Sequence, residues 1–191
     1  MKKIGLGIQD LSKFKEKNLI YVDKTETIYK LITEGDYYFL SRPRRFGKSL
    51  LVNTIKELFE CNKELFEDTW IYDKWDWEDK YSVIKICFTE LDYRTQGLEA
   101  ALEFYLDKLG RLKNITYESL DYSGKFLELI QKLGKEKPVV ILIDEYDKPI
   151  IDYLEKETFK KAEENKEILK TFYTGVKEQD RYIRFFMLTG V

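Results

Sequence analysis

The sequence predicts an α/β protein in which helices pack on both faces of a mainly parallel sheet. Apolar stretches with strand character alternate along the chain with segments that carry one apolar face at helical spacing. Two of these strands, at 37–42 and 139–143, lead directly into residues suited to phosphate and metal chemistry. Parallel strands gather such residues at their carboxyl ends. We therefore expect a three-layer α/β/α sandwich with its site at one edge of the sheet.

The composition fits a globular chain and excludes several kinds of site. At 191 residues and 43% hydrophobic content, the chain can bury a sizeable core and most simply forms one domain over residues 1–191. It contains no histidine, which excludes histidine-based triads and zinc fingers with histidine ligands. The net charge of -2 gives no overall nucleic-acid footprint. No apolar run approaches the roughly 18 residues of a membrane span, so we expect no membrane partner and a cytoplasmic location.

The first 34 residues combine a lysine-rich segment with a short helix. Ile28, Leu31 and Ile32 form the apolar face of this helix. The lysines are typical of a solvated surface. Residues 21–25 have two interpretations: part of that surface, or a contact with the base of a nucleotide bound by the loop that follows.

The first predicted strand of the sheet leads into a basic loop that ends in Gly-Lys-Ser. Residues 42–49 read Arg-Pro-Arg-Arg-Phe-Gly-Lys-Ser, and a helix is expected from 48 to about 61. Backbone N–H groups in such a loop, together with a helix start, create a concavity of positive potential for phosphate oxygens. Lys48 would add a charge between the β and γ phosphates, and Ser49 would offer its hydroxyl to Mg²⁺. The residues expected around the phosphates are Arg44, Arg45, Phe46, Gly47, Lys48, Ser49 and Leu50.

The loop departs from the usual G-x-x-x-x-G-K-[ST] pattern at its first position, which holds Arg42. Arginine does not readily adopt positive φ, so the opening of the loop must take another shape. Pro43 pushes the preceding residue towards an extended conformation, which fits a strand that ends at Arg42. Arg44 and Arg45 are candidates for phosphate contacts, for docking a partner strand or subunit, or for a purely solvated role.

The middle of the chain is expected to supply one strand, three helices and an insert. The strand is predicted at 82–89, one helix at 96–112, a second helix between a Ser123 cap and Gly134, and a third from about 157 to 178. The insert at 62–80 is acidic and contains Trp70, Trp75 and Trp77. Its acids would repel a phosphate backbone, so packing on the core or on a protein is favoured over base stacking. Nucleic acid is therefore expected only as an indirect partner.

A second motif follows about 95 residues after the loop. Residues 139–143 are five consecutive aliphatic residues, typical of a strand buried on both faces, and Asp144 and Glu145 follow. Alone, this is also the pattern of a core strand with a solvated acidic end. Together with the loop it indicates a nucleotide site, with Asp144 holding Mg²⁺ through water and Glu145 polarising the attacking water. A last strand at 182–191 would bring Thr189 to the same edge as Gly47 and Asp144.

These motifs together resemble the bacterial AAA-ATPase-like family. The resemblance covers essentially the whole chain and is carried by residues 21–25, the string at 42–50, Leu-Ile-Asp-Glu-Tyr-Asp at 142–147 and Leu-Thr-Gly-Val at 188–191. It implies a P-loop strand beside a sensor strand, which lies beside the Walker B strand, with Thr189 as the sensor residue near the γ-phosphate. It also implies a last core strand, a helical lid and, in full-length members, a PD-(D/E)XK nuclease-like domain beyond Val191.

We expect Mg²⁺-dependent ATP hydrolysis from this core, with Glu145, Lys48 and Thr189 as its catalytic residues and Ser49 and Asp144 as its metal ligands. The ATPase would drive or gate an attached effector domain, and a homo-oligomer is one expected assembly. A nucleotide-gated binding module that does not hydrolyse ATP is the alternative. A small-molecule kinase is a weaker third interpretation, because Glu145 directly after Asp144 suits water activation.

Overall fold

A four-stranded, entirely parallel sheet forms the centre of the computed structural model, which describes residues 3–5 and 7–191. The strand order is β3-β6-β5-β4, and a separate pair, β1 and β2, is also parallel. The strands are β1 (Lys3–Ile4), β2 (Leu19–Ile20), β3 (Tyr37–Ser41), β4 (Val83–Cys87), β5 (Val139–Asp144) and β6 (Ile183–Gly190). Strands far apart in sequence are thus neighbours, which requires the helical crossovers that the sequence predicts.

The helices lie on both sides of this sheet and complete the expected α/β/α sandwich. They are α1 (Ser12–Glu16), α2 (Thr25–Glu34), α3 (Lys48–Phe59), α4 (Tyr93–Gln96), α5 (Leu98–Leu112), α6 (Tyr122–Gly134), α7 (Lys148–Ile151) and α8 (Phe159–Tyr173). Three short 3₁₀ segments, Lys63–Phe66, Phe88–Glu90 and Lys177–Tyr182, also occur in the described part of the chain.

The sheet separates two hydrophobic cores. On one face, α2 and α3 pack on alternate strand residues that include Val140, Leu142 and Met187. On the other face, α5, α6 and α8 pack on residues that include Ile141 and Ile143. All six residues of β5 are buried, as expected for a strand covered on both faces. The two cores fix which way each β5 side chain points, and Asp144 falls on the α3 face with Val140 and Leu142.

Three expected helix boundaries are wrong, and local backbone geometry explains each. Gly97, at φ +86°, separates α4 from α5, so the helix expected at 96–112 is broken there. Asp121, not Ser123, caps α6, because its carboxylate accepts hydrogen bonds from the backbone N–H groups of Ser123 and Gly124. The last long helix ends at Tyr173 rather than near 178, since Thr174 is extended and Gly175 has φ +84°.

The aromatic insert packs against the core, as favoured from its sequence. Phe66 and Ile71 are fully buried in the α3-side core, and Trp75 and Trp77 lie partly buried against it. Asp23, just before α2, and Thr25, its first residue, hold the insert. Trp70 donates its backbone N–H to Asp23 Oδ2 at 2.7 Å, and Ile71 donates its backbone N–H to Thr25 Oγ1 at 3.2 Å. The base contact considered for residues 21–25 stays a prediction.

No helix within residues 3–5 and 7–191 is long and apolar enough to cross a membrane.

Candidate active site

The basic loop leaves β3 at Ser41 and reaches α3 at Lys48. Arg42 still follows the sheet, because its backbone N–H donates to Gly190 O at 3.2 Å. The loop then turns through two residues of positive φ, Arg45 at +68° and Gly47 at +77°. The opening of the loop therefore differs from the usual pattern as expected: Arg42 is not among the residues with positive φ, and the left-handed residues lie later in the loop.

Gly47 is needed for its backbone conformation rather than for space. A Cβ atom added there would meet no other atom within 4 Å, but its φ of +77° is one that side chains with a Cβ rarely adopt. The helix begins at the next residue, and Gly47 O accepts the first helical bond, from Leu51 N at 2.9 Å. Gly47, the cap residue of α3, provides no side-chain acceptor, and the first turn of α3 holds no acidic residue. The positive end of a twelve-residue helix therefore points into the loop.

Lys48 lies inside the loop and is only 6% exposed. Its Nζ donates to Arg42 O at 2.6 Å and to Pro43 O at 3.1 Å. Both acceptors are neutral carbonyls, so these bonds orient the ammonium group without neutralising its charge. A buried cation with only neutral partners attracts an anion strongly.

The other predicted phosphate-loop residues are exposed or half-buried. Arg44, Arg45 and Phe46 are exposed, Phe46 by 69%, while Ser49 and Leu50 are half-buried in the first turn of α3. Leu50 contributes its carbonyl to the helix, where it accepts a hydrogen bond from Thr54 Oγ1 at 2.8 Å. The phosphate loop thus combines exposed arginines with one buried lysine.

The predicted acids occupy the same edge of the sheet. β6 lies between β3 and β5, with Leu40 opposite Thr189 and Ile143 opposite Leu188. Asp144 is 2% exposed and Thr189 is fully buried, and Thr189 Oγ1 donates to Asp144 Oδ1 at 2.5 Å. The threonine hydroxyl therefore fixes one oxygen of the carboxylate.

Ser49 and Asp144 line one polar cavity of about 330 Å³. A carboxylate and a hydroxyl are hard oxygen ligands of the kind that Mg²⁺ prefers, and this ion usually takes its remaining ligands from water and phosphate. Among the described residues no cluster of three or more His, Cys, Asp or Glu side chains is placed to hold a metal. The donor set fits a magnesium ion delivered with a phosphate ligand rather than one held by a protein cage.

Glu145 directly follows β5 and has an unusual backbone, with φ +54°. Its N–H lies 3.4 Å from Thr189 Oγ1. Burial raises the pKa of the Glu145 carboxyl, and the Asp144 carboxylate adds to the rise. Lys148, Lys48 and Arg44 partly offset this rise in pKa, which means that cations of the loop act electrostatically on the acid.

The cavity also contains a polar contact that the sequence did not predict. Lys85 and Asn53 line it together with Ser49 and Asp144, and Lys85 Nζ donates to Asn53 Oδ1 at 2.7 Å. Asn53 in turn donates through Nδ2 to Gln9 O at 2.6 Å. The signal in the sequence was Lys85 itself, because it is the one charged residue in an otherwise apolar strand at 83–87.

Fold and site together define an α/β protein of the P-loop NTPase type. The family model described as "Predicted AAA-ATPase" matches residues 5–191, and the chain belongs to this family. The chain is also similar to an "uncharacterized protein in vnfD 5′ region" of Azotobacter chroococcum mcd 1, with 40% identity over 195 residues. This alignment covers 100% of the chain but 37% of that relative's length. No solved structure matches the chain.

Proposed function

We propose that the chain binds ATP with Mg²⁺ and hydrolyses it. The observation that carries this proposal is the adjacency of β3, β6 and β5, which brings Lys48, Thr189 and Asp144 to one edge of the sheet. Ser49 and the buried Asp144 carboxylate line one cavity, and the buried Lys48 ammonium group and the N-terminus of α3 immediately precede Ser49 in the chain. Such a set of groups suits a triphosphate with its metal.

Each residue has a specific part in this proposal. Lys48 holds the phosphates together with the backbone N–H groups of residues 44–50. Arg44 and Arg45 are exposed and add phosphate contacts from the solvent side. Ser49 and Asp144 hold the metal, and Mg²⁺ when bound neutralises charge that develops on the phosphate oxygens. Glu145 orients the attacking water and accepts its proton, and Thr189 is positioned for the γ-phosphate or that water.

The proposal also covers two features that the family resemblance implies, a last strand with a lid and an effector domain. β3 is an edge strand, and its Tyr37 and Phe39 are exposed beside a groove of about 700 Å³ lined by Phe186 and Leu188. An apolar groove next to an open strand edge favours further packing, so we propose that the last strand and lid implied by the family pack there. The ATPase would then drive or gate an effector such as a nuclease-like domain. We also propose a cytoplasmic location and a homo-oligomeric assembly.

Single-turnover release of phosphate tests the hydrolytic part of the proposal. Glu145→Gln keeps the size of the side chain but removes the proton acceptor, so we expect ATP affinity within about threefold of the parent and hydrolysis slowed by about a hundredfold or more. Glu163→Gln, an exposed residue of α8, is the matched control and should behave as the parent does.

The outcomes separate the two functions that the sequence leaves open. If the parent binds Mg-ATP but releases no phosphate, the chain is a nucleotide-gated binding module. If Glu145→Gln hydrolyses ATP at the parent rate, the role given to Glu145 is wrong. If the parent shows no affinity for ATP, the whole proposal is wrong.

A further inference from the structure

Two motif fragments have no part in the reaction described so far: Tyr146-Asp147, after the two site acids, and Gly190-Val191, after the sensor threonine. The structure brings them into direct contact. Val191 donates its backbone N–H to Asp147 Oδ2 at 2.8 Å, and Tyr146 donates its backbone N–H to Thr189 O at 3.1 Å. These bonds join the turn after β5 to the end of β6.

The Asp147 side chain bonds to a distant segment rather than to its own helix. Asp147 occupies the N-cap position of α7, where an aspartate ordinarily accepts bonds from the first amides of its own helix. Its side chain makes no such bond here, although its carbonyl accepts from Ile150 N at 3.0 Å and Ile151 N at 2.9 Å. Asp147 is 9% exposed, and its carboxylate instead accepts from a residue 44 positions away. Its bond therefore supports the contact between strands rather than the helix.

Gly190 allows this close approach. A Cβ atom at this position would lie 2.6 and 2.9 Å from ring carbons of Tyr146 and 3.0 Å from Asp147 Oδ2. The first two distances are shorter than real Cβ contacts, so a side chain here would displace the Tyr146 ring and crowd the Asp147 carboxylate. The glycine therefore favours the contact between the turn and β6.

The joined segments adjoin Glu145, which is half-buried. With φ +54°, this residue has the left-handed conformation that costs a non-glycine residue about 1 kcal/mol or more. Such a conformation persists only where surrounding contacts determine it. The bonds from Tyr146 to Thr189 and from Val191 to Asp147 lie immediately on the carboxyl side of Glu145.

We infer that Asp147 is a positioning residue: by holding the end of β6, it fixes the left-handed turn that aims Glu145 at the reacting phosphate. This inference rests on the proposed hydrolysis. A shift of about 1 Å in a reacting group can lower the rate about a hundredfold with little effect on binding. Loss of this bond should therefore reduce turnover far more than affinity.

Four variants of the 191-residue chain test the inference: Asp147→Ala, Asp147→Asn, Gly190→Ala and the control Glu163→Ala. We measure the single-turnover rate, the Kd for Mg-ATP, and hydrogen exchange of the peptide that ends at Val191. Asp147→Ala and Gly190→Ala should each slow turnover by about tenfold or more, change Kd less than about threefold, and speed exchange in that peptide. Asp147→Asn retains an oxygen acceptor and should stay within about threefold of the parent in all three measurements.

The outcomes distinguish this inference from the function on which it rests. If Asp147→Ala turns over and exchanges as the parent does, the positioning role is wrong while hydrolysis stands. The same conclusion follows if Asp147→Asn is as slow as Asp147→Ala, since the bond would then not be the cause. A parent that binds no ATP contradicts the proposed function and this inference together.

Discussion

The two halves of the site are built in opposite ways. The basic half, residues 42–49, is a loop whose residues are exposed up to Gly47, with Lys48 as its buried exception. The acidic half, residues 144–147 with 189–191, lies at the ends of two central strands and is crossed by hydrogen bonds between them. The predicted phosphate contacts other than Lys48 thus lie in an accessible segment, whereas Asp144, Glu145 and Thr189 are held at the ends of the central strands. Substitutions in the two halves should therefore have different effects.

Lys48→Ala should have the largest effect on binding. The ammonium group is buried and, within the described part of the chain, donates its hydrogen bonds to two neutral carbonyls, so its loss removes a buried positive charge that the loop offers to phosphate. Removing one partner of a buried charged contact costs about 2 kcal/mol or more, which corresponds to about a thirtyfold or greater loss of ATP affinity. Equilibrium titration with Mg-ATP measures this loss, and Lys166→Ala, on the exposed side of α8, is the control. An unchanged Kd for Lys48→Ala would show that the loop does not hold the phosphates.

Thr189→Val should reduce stability as well as turnover, because Thr189 belongs to the acidic half and is fully buried. The substitution keeps the shape but leaves Asp144 Oδ1 without its donor inside the core. An unsatisfied buried group costs about 1–3 kcal/mol, measurable as a lower midpoint of urea unfolding. Thr189→Ser retains the hydroxyl and should lose less than about 1.5 kcal/mol from the missing methyl group. A Thr189→Val variant as stable as the parent would show that the hydrogen bond contributes nothing to stability.

Asp152, at the end of α7 after the acidic half, should make the stability of the fold depend on acid pH. Burial opposes its ionisation, but hydrogen bonds from Lys148, Arg94 and Tyr93 outweigh burial and lower the pKa of Asp152 to about 2. Because the folded-state pKa lies below the unfolded value of 3.8, the added stability is present above about pH 4 and is lost as the pH falls towards 2.

The measurement compares the free energy of unfolding of the parent and Asp152→Asn at several pH values. We expect the parent to be more stable than Asp152→Asn by about 1–2 kcal/mol at pH 7 and by less at pH 3. The difference at pH 7 is modest because Arg94 is largely exposed, so solvent screens its interaction with Asp152. A difference that does not change between these pH values would contradict the assignment.

Phe46→Ala should have the smallest effect of the set. The side chain is 69% exposed on the basic half, so its removal should change the free energy of unfolding by less than about 0.5 kcal/mol. Thermal unfolding measures this change. Phe59→Ala, on the buried face of α3, is the comparison and should lower the free energy of unfolding by about 3–5 kcal/mol. A large loss of stability for Phe46→Ala would show that the loop tip packs more closely than its exposure indicates.

The sequence predicts the sheet and the site edge because their signals are local. Five aliphatic residues before Asp144 indicate a buried strand, and Gly-Lys-Ser before a helix indicates the loop. The family resemblance, not the pattern of residues, supplied the order in which β6 lies between β3 and β5.

Other features depend on contacts between distant segments and could not be read locally. The bond from Val191 to Asp147 joins residues 44 positions apart, and the one from Lys85 to Asn53 joins residues 32 positions apart. The break at Gly97 and the end of α8 at Gly175 depend on positive φ, which glycine permits but does not require. Asp121 replaced Ser123 as the cap because both residue types can cap a helix at neighbouring positions.

The central claim is that the basic and acidic halves hold one Mg-ATP between them. The most direct measurement is the affinity for ATP with Mg²⁺ and with EDTA, in the parent and in Asp144→Asn and Lys48→Ala. We predict that Mg²⁺ strengthens binding to the parent, that Asp144→Asn loses this dependence on Mg²⁺, and that Lys48→Ala binds weakly under both conditions. An Asp144→Asn variant that keeps the full effect of Mg²⁺ would contradict the claim.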